Sequence, residues 1–313
     1  MLSRTADNLY WLSRYVERAE NTARIIDTAA RLSAMPAGYG GTSNEWESAL
    51  VASGSLDLFR RLYDEANARN VIDFLAFSPD NPSSIRSCLD VARANARAVR
   101  TALTIETWEA INGAWLELKR FDGATMTRSR LADFLTFVKE ASLRFDGSAW
   151  RTMLRNDAFD FARLGVYLER ADSTARILDV KYHVLLPEGE QVGGGLDYFH
   201  WSSILRSVSA LTSYHWVYRT SLRPWLVADL LILRTEMPRS LASCYENVTR
   251  HLDLLARSYG RQGPAQRIAR SSFAKLQNMD IQHVFDAGLH EFLTDFLAEN
   301  NKLGAAITEQ YLV

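Results

Sequence analysis

One thirteen-residue phrase is written twice in this chain. YVERAENTARIID spans Tyr15–Asp27, and YLERADSTARILD spans Tyr167–Asp179; nine of the thirteen letters are identical. Around each phrase, apolar residues recur at alternating spacings of three and four. Leu9, Leu12, Val16, Ala19, Ala23, Ile26 and Ala30 mark the first copy, and Phe161, Leu164, Leu168, Ala171, Ala175, Leu178 and Tyr182 the second. Such a seam is what packs a helix into a bundle, and alanines at its centre let another backbone come close. A chain built around two such helices is strongly constrained towards an all-helical architecture.

The repetition reaches further. WESAL (Trp46–Leu50) returns as WSSIL (Trp201–Leu205). VIDFLAFSPDNPSSIRSC (Val71–Cys88) returns as VADLLILRTEMPRSLASC (Val227–Cys244), with seven identities in eighteen. The offsets are 152, 155 and 156, so order and spacing are nearly kept. Gly-rich stretches at Ala37–Ser43 and Glu190–Asp197 occupy the same place in each half, and Pro36 and Pro187 follow the two opening helices. Asn81-Pro82 has the form of a cap and a first-turn proline. Three collinear matches argue for duplication. The expectation is one all-α domain over residues 1–313, a multi-helix bundle of two duplicated halves, about 1–150 and 151–313, related by a pseudo-twofold. Cys88 and Cys244 fall at matching positions, which suits small buried residues better than a redox pair.

Composition narrows the function classes. The net charge is -1 with 23% charged residues, without the basic excess of a sequence-blind nucleic-acid or membrane-surface binder. The first twenty residues carry charges where a signal peptide needs an apolar run, and WLVADLLIL (Trp225–Leu233) is too short to span a bilayer. These features predict a soluble, cytoplasmic protein. Arginine greatly outnumbers lysine; codon bias in a GC-rich genome would do this, and so would a need for forked contacts to carboxylate or phosphate.

The repeated charges carry the sharper question. Glu17 has Arg14 three residues before it and Asn21 four after, enough for a surface pair. The second copy removes that explanation. Arg14 corresponds to Val166, and Glu169 has only Gly165, Val166, Asp172 and Ser173 at its near positions. Glu169 is therefore expected to be buried and to meet an arginine from another helix, with Arg18, Arg97 and Arg100 as candidates, or a ligand. Arg18 and Arg170 likewise lack acids at three or four. In RANARAVR (Arg93–Arg100), Arg93, Arg97 and Arg100 share one helical face; Asp90 can serve Arg93, but Arg97 has no acid within a turn. Downstream lie Glu106, Trp108, Glu109 and Asn112. Two readings fit these residues, a structural ion-pair network and an anion site built from the same groups.

Familiar reaction chemistry is missing. There is no phosphate-binding GxxxxGK[ST], and the GYGG stretch fails the dinucleotide fingerprint. A di-iron bundle needs Glu-x-x-His on two helices; the nearest approach is a single Asp-x-x-His, Asp280–His283. His200, His215 and His251 are scattered without metal spacing, and no cofactor is expected. Trp201, Trp216 and Trp225 are expected in the core.

At SRTADNLYWLSRYVERAENTAR (Ser3–Arg24), NARAVR (Asn95–Arg100), WEAIN (Trp108–Asn112) and YLERADSTAR (Tyr167–Arg176), the chain resembles the alpha-E family, bacterial helical proteins named for a Glu-Arg motif. The motif falls on Glu17-Arg18, with a second copy at Glu169-Arg170. The resemblance implies association with circularly permuted ATP-grasp proteins and transglutaminase-like amidohydrolases, hence with amide or peptide chemistry. The resulting expectation is a non-catalytic partner or substrate-binding subunit of an ATP-dependent ligation system, with an anionic small molecule or peptide as ligand. The anion- or partner-binding candidates are Glu17, Arg18, Arg24, Asn95, Arg97, Arg100, Glu109, Glu169, Arg170 and Arg176. The alternatives are an enzyme using Glu17 or Glu169 as general base, and a structural assembly module.

Overall fold

Two long helices carry the repeated phrase. In the computed structural model, which describes residues 1–34, 45–183 and 195–313, they are α1 (Ser3–Leu32) and α8 (Asp157–His183). Between them run α2 (Glu45–Ala52), α3 (Leu56–Arg60), α4 (Ala68–Ala76), α5 (Ile85–Ala98), α6 (Ile105–Leu118) and α7 (Arg128–Thr152). After α8 come α9 (Gly195–Ser207), α10 (Leu211–Tyr218), α11 (Pro224–Ile232), α12 (Leu241–Tyr259), α13 (Pro264–Gln277), α14 (Ile281–Ala287) and α15 (Leu289–Ile307). The described residues contain no strand, so the protein is all-α. No described helix is long and apolar enough to cross a membrane.

The seams behave as their spacing requires. Leu9, Leu12, Val16, Ala19, Ala23 and Ile26 are buried, as are Phe161, Leu164, Leu168, Ala171, Ala175 and Leu178; Ala30 is half-buried. The side chain of Tyr182, the Gly-rich stretches 37–43 and 190–194, and Pro36 and Pro187 lie outside the described residues. α1 and α8 pack directly on each other at the centre; α5, α7 and α2 also flank α1, and α12 and α15 flank α8. Gly165 marks their closest approach, since a Cβ there would lie 2.2 Å from the Tyr10 carbonyl oxygen and 3.1 Å from Ser13 Cβ. α1 buries a second, polar face as well, including Glu17, Glu20, Asn21, Arg24 and Thr28.

Two local expectations are corrected. Asn81-Pro82 does not start α5. Ser84 is the N-cap, its hydroxyl accepting from the Ser87 amide, and Ser240 caps α12 in the same way through Ser243. Asn81 instead closes the turn between α4 and α5: its amide donates to the Phe74 carbonyl, and its Oδ1 accepts from the Ser83 amide. Three residues on, a serine with extended backbone offers the better cap. Of the three tryptophans, only Trp201 is core, at 5% exposure; Trp216 is 79% and Trp225 41% exposed. α10 is a short surface helix that buries Tyr214 and so turns Trp216, two residues on, outward.

Candidate functional site

The Glu-Arg dipeptides meet across the α1–α8 interface. Arg170 of α8 donates from Nε and Nη2 to both oxygens of Glu17, each at 2.9 Å. Arg18 of α1 donates to both oxygens of Glu169, Nε to Oε1 at 2.6 Å and Nη2 to Oε2 at 3.1 Å. Each dipeptide thus gives its glutamate to the other's arginine in a forked, charge-assisted contact. Both glutamates are 3% exposed.

Each glutamate also holds a second arginine, from a different source. Arg14 donates to Glu169 Oε2 at 2.7 Å. Arg14, three residues before Glu17, makes no bond to it among the described residues; it sits over the Trp11 ring at 4.7 Å and reaches across to α8. The second arginine on Glu17 is Arg239, in the turn before α12, at 3.0 Å; it also reaches Glu20 at 2.5 Å. Glu20 in turn accepts two bonds from Arg24 and one from the Ser142 hydroxyl. Sequence reasoning missed Arg239 and Glu20. Glu20 and Arg24 stand four apart, a spacing that could have signalled the pair; Arg239 had no signal, because the repeated segment has Ser83 in its place.

This arrangement fixes the charge states. Burial alone would raise the Glu17 carboxyl, but Arg170 and Arg239 outweigh it and pull it down to about 2. Burial likewise opposes Arg14 and Arg18 at Glu169, and the arginines prevail, so that carboxyl is also lowered. The Arg170 guanidinium is held charged by Glu17 against its own burial. Cys88 and Cys244 are fully buried, and burial pushes each thiol up to about 12 against the pull of Arg18 and Arg170 respectively. A thiol held protonated is neither nucleophile nor metal ligand.

The Alpha-E family model, "a predicted alpha-helical domain with a conserved ER motif", matches residues 1–312. The chain belongs to the Alpha-E family. No curated protein and no solved structure matches it. In this Alpha-E chain, adjacent Glu-Arg occurs at 17–18 and 169–170, and it is these two pairs that interlock.

The other candidates lie elsewhere. Arg97 is exposed and makes no ion pair among the described residues, and Arg100 sits over the Trp108 ring at 5.4 Å. Neither reaches Glu169. The three-arginine stripe is itself broken, because α5 ends at Ala98 and Arg100 opens a 3-10 turn. Arg93 turns to Asn112, at 2.8 Å, and to the Trp115 ring, while Asp90 accepts from the Trp115 indole. Asn95 is half-buried on α5, and Glu109 is exposed on α6. Arg176 is close by and pairs with Asp172 at 2.6 Å. Asp280 caps α14 through the Gln282 amide, and His283 is exposed. No group of three or more metal-ligating side chains occurs among the described residues. His251 is buried against Asp160, its Nδ1 2.8 Å from Oδ1, and burial keeps its imidazole below the usual range despite that carboxylate.

The Alpha-E centre is open on one side. A polar pocket of about 240 Å3 is lined by Arg14, Arg18, Asn21, Glu169, Asp172 and Arg176, with Ser53, Ser55, Asn81, Ser83 and Asn301 at its walls. At the Glu17 cluster the second arginine, Arg239, bonds both Glu17 and Glu20.

Proposed function

We propose that the chain is a non-catalytic helical subunit that holds an anionic, peptide-like substrate for ATP-dependent amide ligation by an ATP-grasp protein, with a transglutaminase-like amidohydrolase as functional neighbour. The observation that carries this reading is the arginine-lined pocket beside Glu169, a place for a small anion. A general base works best with a pKa near the operating pH. Glu17 and Glu169 are instead held ionised, each by two arginines, and their oxygens are engaged. That disfavours the reading of either as general base. Cytoplasmic placement belongs to the same proposal.

We also read the chain as two duplicated halves related by a pseudo-twofold. Support comes from matched details: Ser84 and Ser240 cap corresponding helices, and Asp73 and Asp229 each accept from a tyrosine, Tyr63 and Tyr218. Gly54 and Ser209 both have left-handed backbone, with φ of 68° and 59°.

The test is to purify the chain alone and with an ATP-grasp protein from its host, then follow ATP hydrolysis and amide formation. The chain alone is expected to do neither, and the ligase is expected to bind it and to require it for amide formation. If the isolated chain turns over substrate, and folded Glu17→Gln or Glu169→Gln abolishes that turnover, the protein is an enzyme. If the two proteins neither associate nor depend on each other, the ligation role is wrong.

A further inference from the structure

The pocket beside Glu169 is asymmetric in its unmet needs. Arg14 and Arg18 spend part of their donors on Glu169, but Arg14 Nη2 and Arg18 Nη1 make no hydrogen bond among the described residues. Arg176 donates from Nε to Asp172 Oδ2, and among the described residues neither its Nη groups nor Asp172 Oδ1 make a further hydrogen bond. Asn21 is 7% exposed, lines the pocket, and its carboxamide makes no hydrogen bond among the described residues; Oδ1 is fully buried without a partner. A buried amide oxygen without a partner is uncommon, and here, unlike the other unpaired buried atoms, it belongs to a residue that lines the arginine pocket.

The charge balance narrows the ligand. Three arginines against two carboxylates line the pocket, leaving one net positive charge. The guanidinium forks suit carboxylate or phosphate, and Arg14, Arg18 and Arg176 all line the one pocket. Asp172 Oδ1 is an acceptor for a cationic donor, and the Asn21 carboxamide can both donate and accept. The volume, about 240 Å3, is below the roughly 300–1,000 Å3 of sites for drug-sized ligands.

We infer that this pocket binds a small acidic amino acid, with its two carboxylates on Arg14/Arg18 and on Arg176 and its ammonium on Asp172 and Asn21. The inference rests on the reading of the chain as a substrate-holding subunit and names the class of that substrate. Ser83 keeps the site open. It lies in the pocket wall at the sequence position matched by Arg239 in the other half, and both residues immediately precede the serine cap of their helix. Where the arginine is present, it bonds the glutamate; where the serine is present, a pocket lies beside the glutamate.

Isothermal titration calorimetry on the purified chain at pH 7 tests this with L-glutamate, glutarate, L-glutamine and inorganic phosphate. L-Glutamate is expected to bind at least about tenfold more tightly than glutarate, which lacks the ammonium, and than glutamine, which lacks one carboxylate. Ser83→Arg is expected to abolish binding. Asn21→Ala is expected to weaken it about tenfold while melting no lower than the parent, because it removes an unpaired buried amide. No binding of L-glutamate to the folded parent overturns the inference. So does phosphate binding as tightly, which would make the pocket a simple anion site, or undiminished binding in folded Ser83→Arg. The measurement needs no partner protein. Glutamate binding without ligase association would sink the ligation role and leave this site standing; association without glutamate binding would do the reverse.

Discussion

The surroundings of Glu17 and Glu169 meet one electrostatic requirement in two ways. Both carboxylates are buried, and each is held ionised by two arginines against that burial. At Glu169 the second arginine comes from the neighbouring helix turn, Arg14, and the far side of the cluster is left open as a pocket. At Glu17 the position matching Arg14 is Val166, and the second arginine arrives from a turn more than two hundred residues later in sequence, Arg239. That longer reach recruits Glu20, Arg24 and Ser142 into one network. The lesson is that one helical phrase can carry an extended ion-pair network at one copy and a network beside a pocket at the other.

The largest expected effects separate the two. Removing one partner of a buried ion pair costs about 3–5 kcal/mol. Glu17→Ala should fall at the upper end in a denaturant titration, because Arg170 is stranded and Arg239 keeps only Glu20. Glu169→Ala should cost less, because water or an added anion can reach Arg14 and Arg18 through the pocket. Added phosphate should restore part of the loss in Glu169→Ala and none in Glu17→Ala. Equal losses, with equal rescue, would mean that the two sites are not different.

Next comes the helix contact that both clusters depend on. Gly165→Ala places a Cβ against the Tyr10 backbone oxygen, where no side-chain rotation can relieve it. Overpacking of this kind costs about 1–3 kcal/mol. Thermal unfolding should show the drop, and an unchanged midpoint would mean that α1 and α8 are less close than described.

Acid acts on the same carboxylates. The Glu17 carboxyl is lower in the folded chain than its ordinary value near 4.5, so its contribution is fully present above that value. It fades as pH falls towards about 2, where the folded carboxyl takes up its proton. The size is on the order of 3 kcal/mol. Buried His251 has the same sense: its imidazole is lowered from 6.5, so the unfolded chain takes the proton first and stability declines as pH falls below that value. Stability measured from pH 7 to 3 should decline in two stages, and Glu17→Gln should flatten the lower one. The smallest effect is at the caps, where Ser84→Ala and Ser240→Ala should each cost about 1 kcal/mol.

Much of this was legible in the sequence, and the failures have physical causes. Three-and-four spacing placed both seams correctly because helix burial follows side-chain direction. Glu169 was readable as a cross-helix partner because no cation stood on its own face. Arg18 was a correct candidate; Arg97 and Arg100 were not, because Arg97 faces solvent and Arg100, beyond the end of α5, sits over Trp108. Arg14 was not named as a partner of Glu169, because that contact joins residues 155 apart in sequence. Arg239 was invisible because long-range contacts leave no mark in spacing, and its counterpart is a serine.

The most direct test of the interlock is a pair of double-mutant cycles on unfolding free energy, one for Arg18 with Glu169 across the helices and one for Arg14 with Glu17 along α1. A cross-helix coupling above about 1 kcal/mol, with an along-helix coupling within about 0.5 kcal/mol of zero, is the expected result. A strong Arg14–Glu17 coupling with none between Arg18 and Glu169 would contradict it, because the repeated Glu-Arg pairs would then be local features of their own helices.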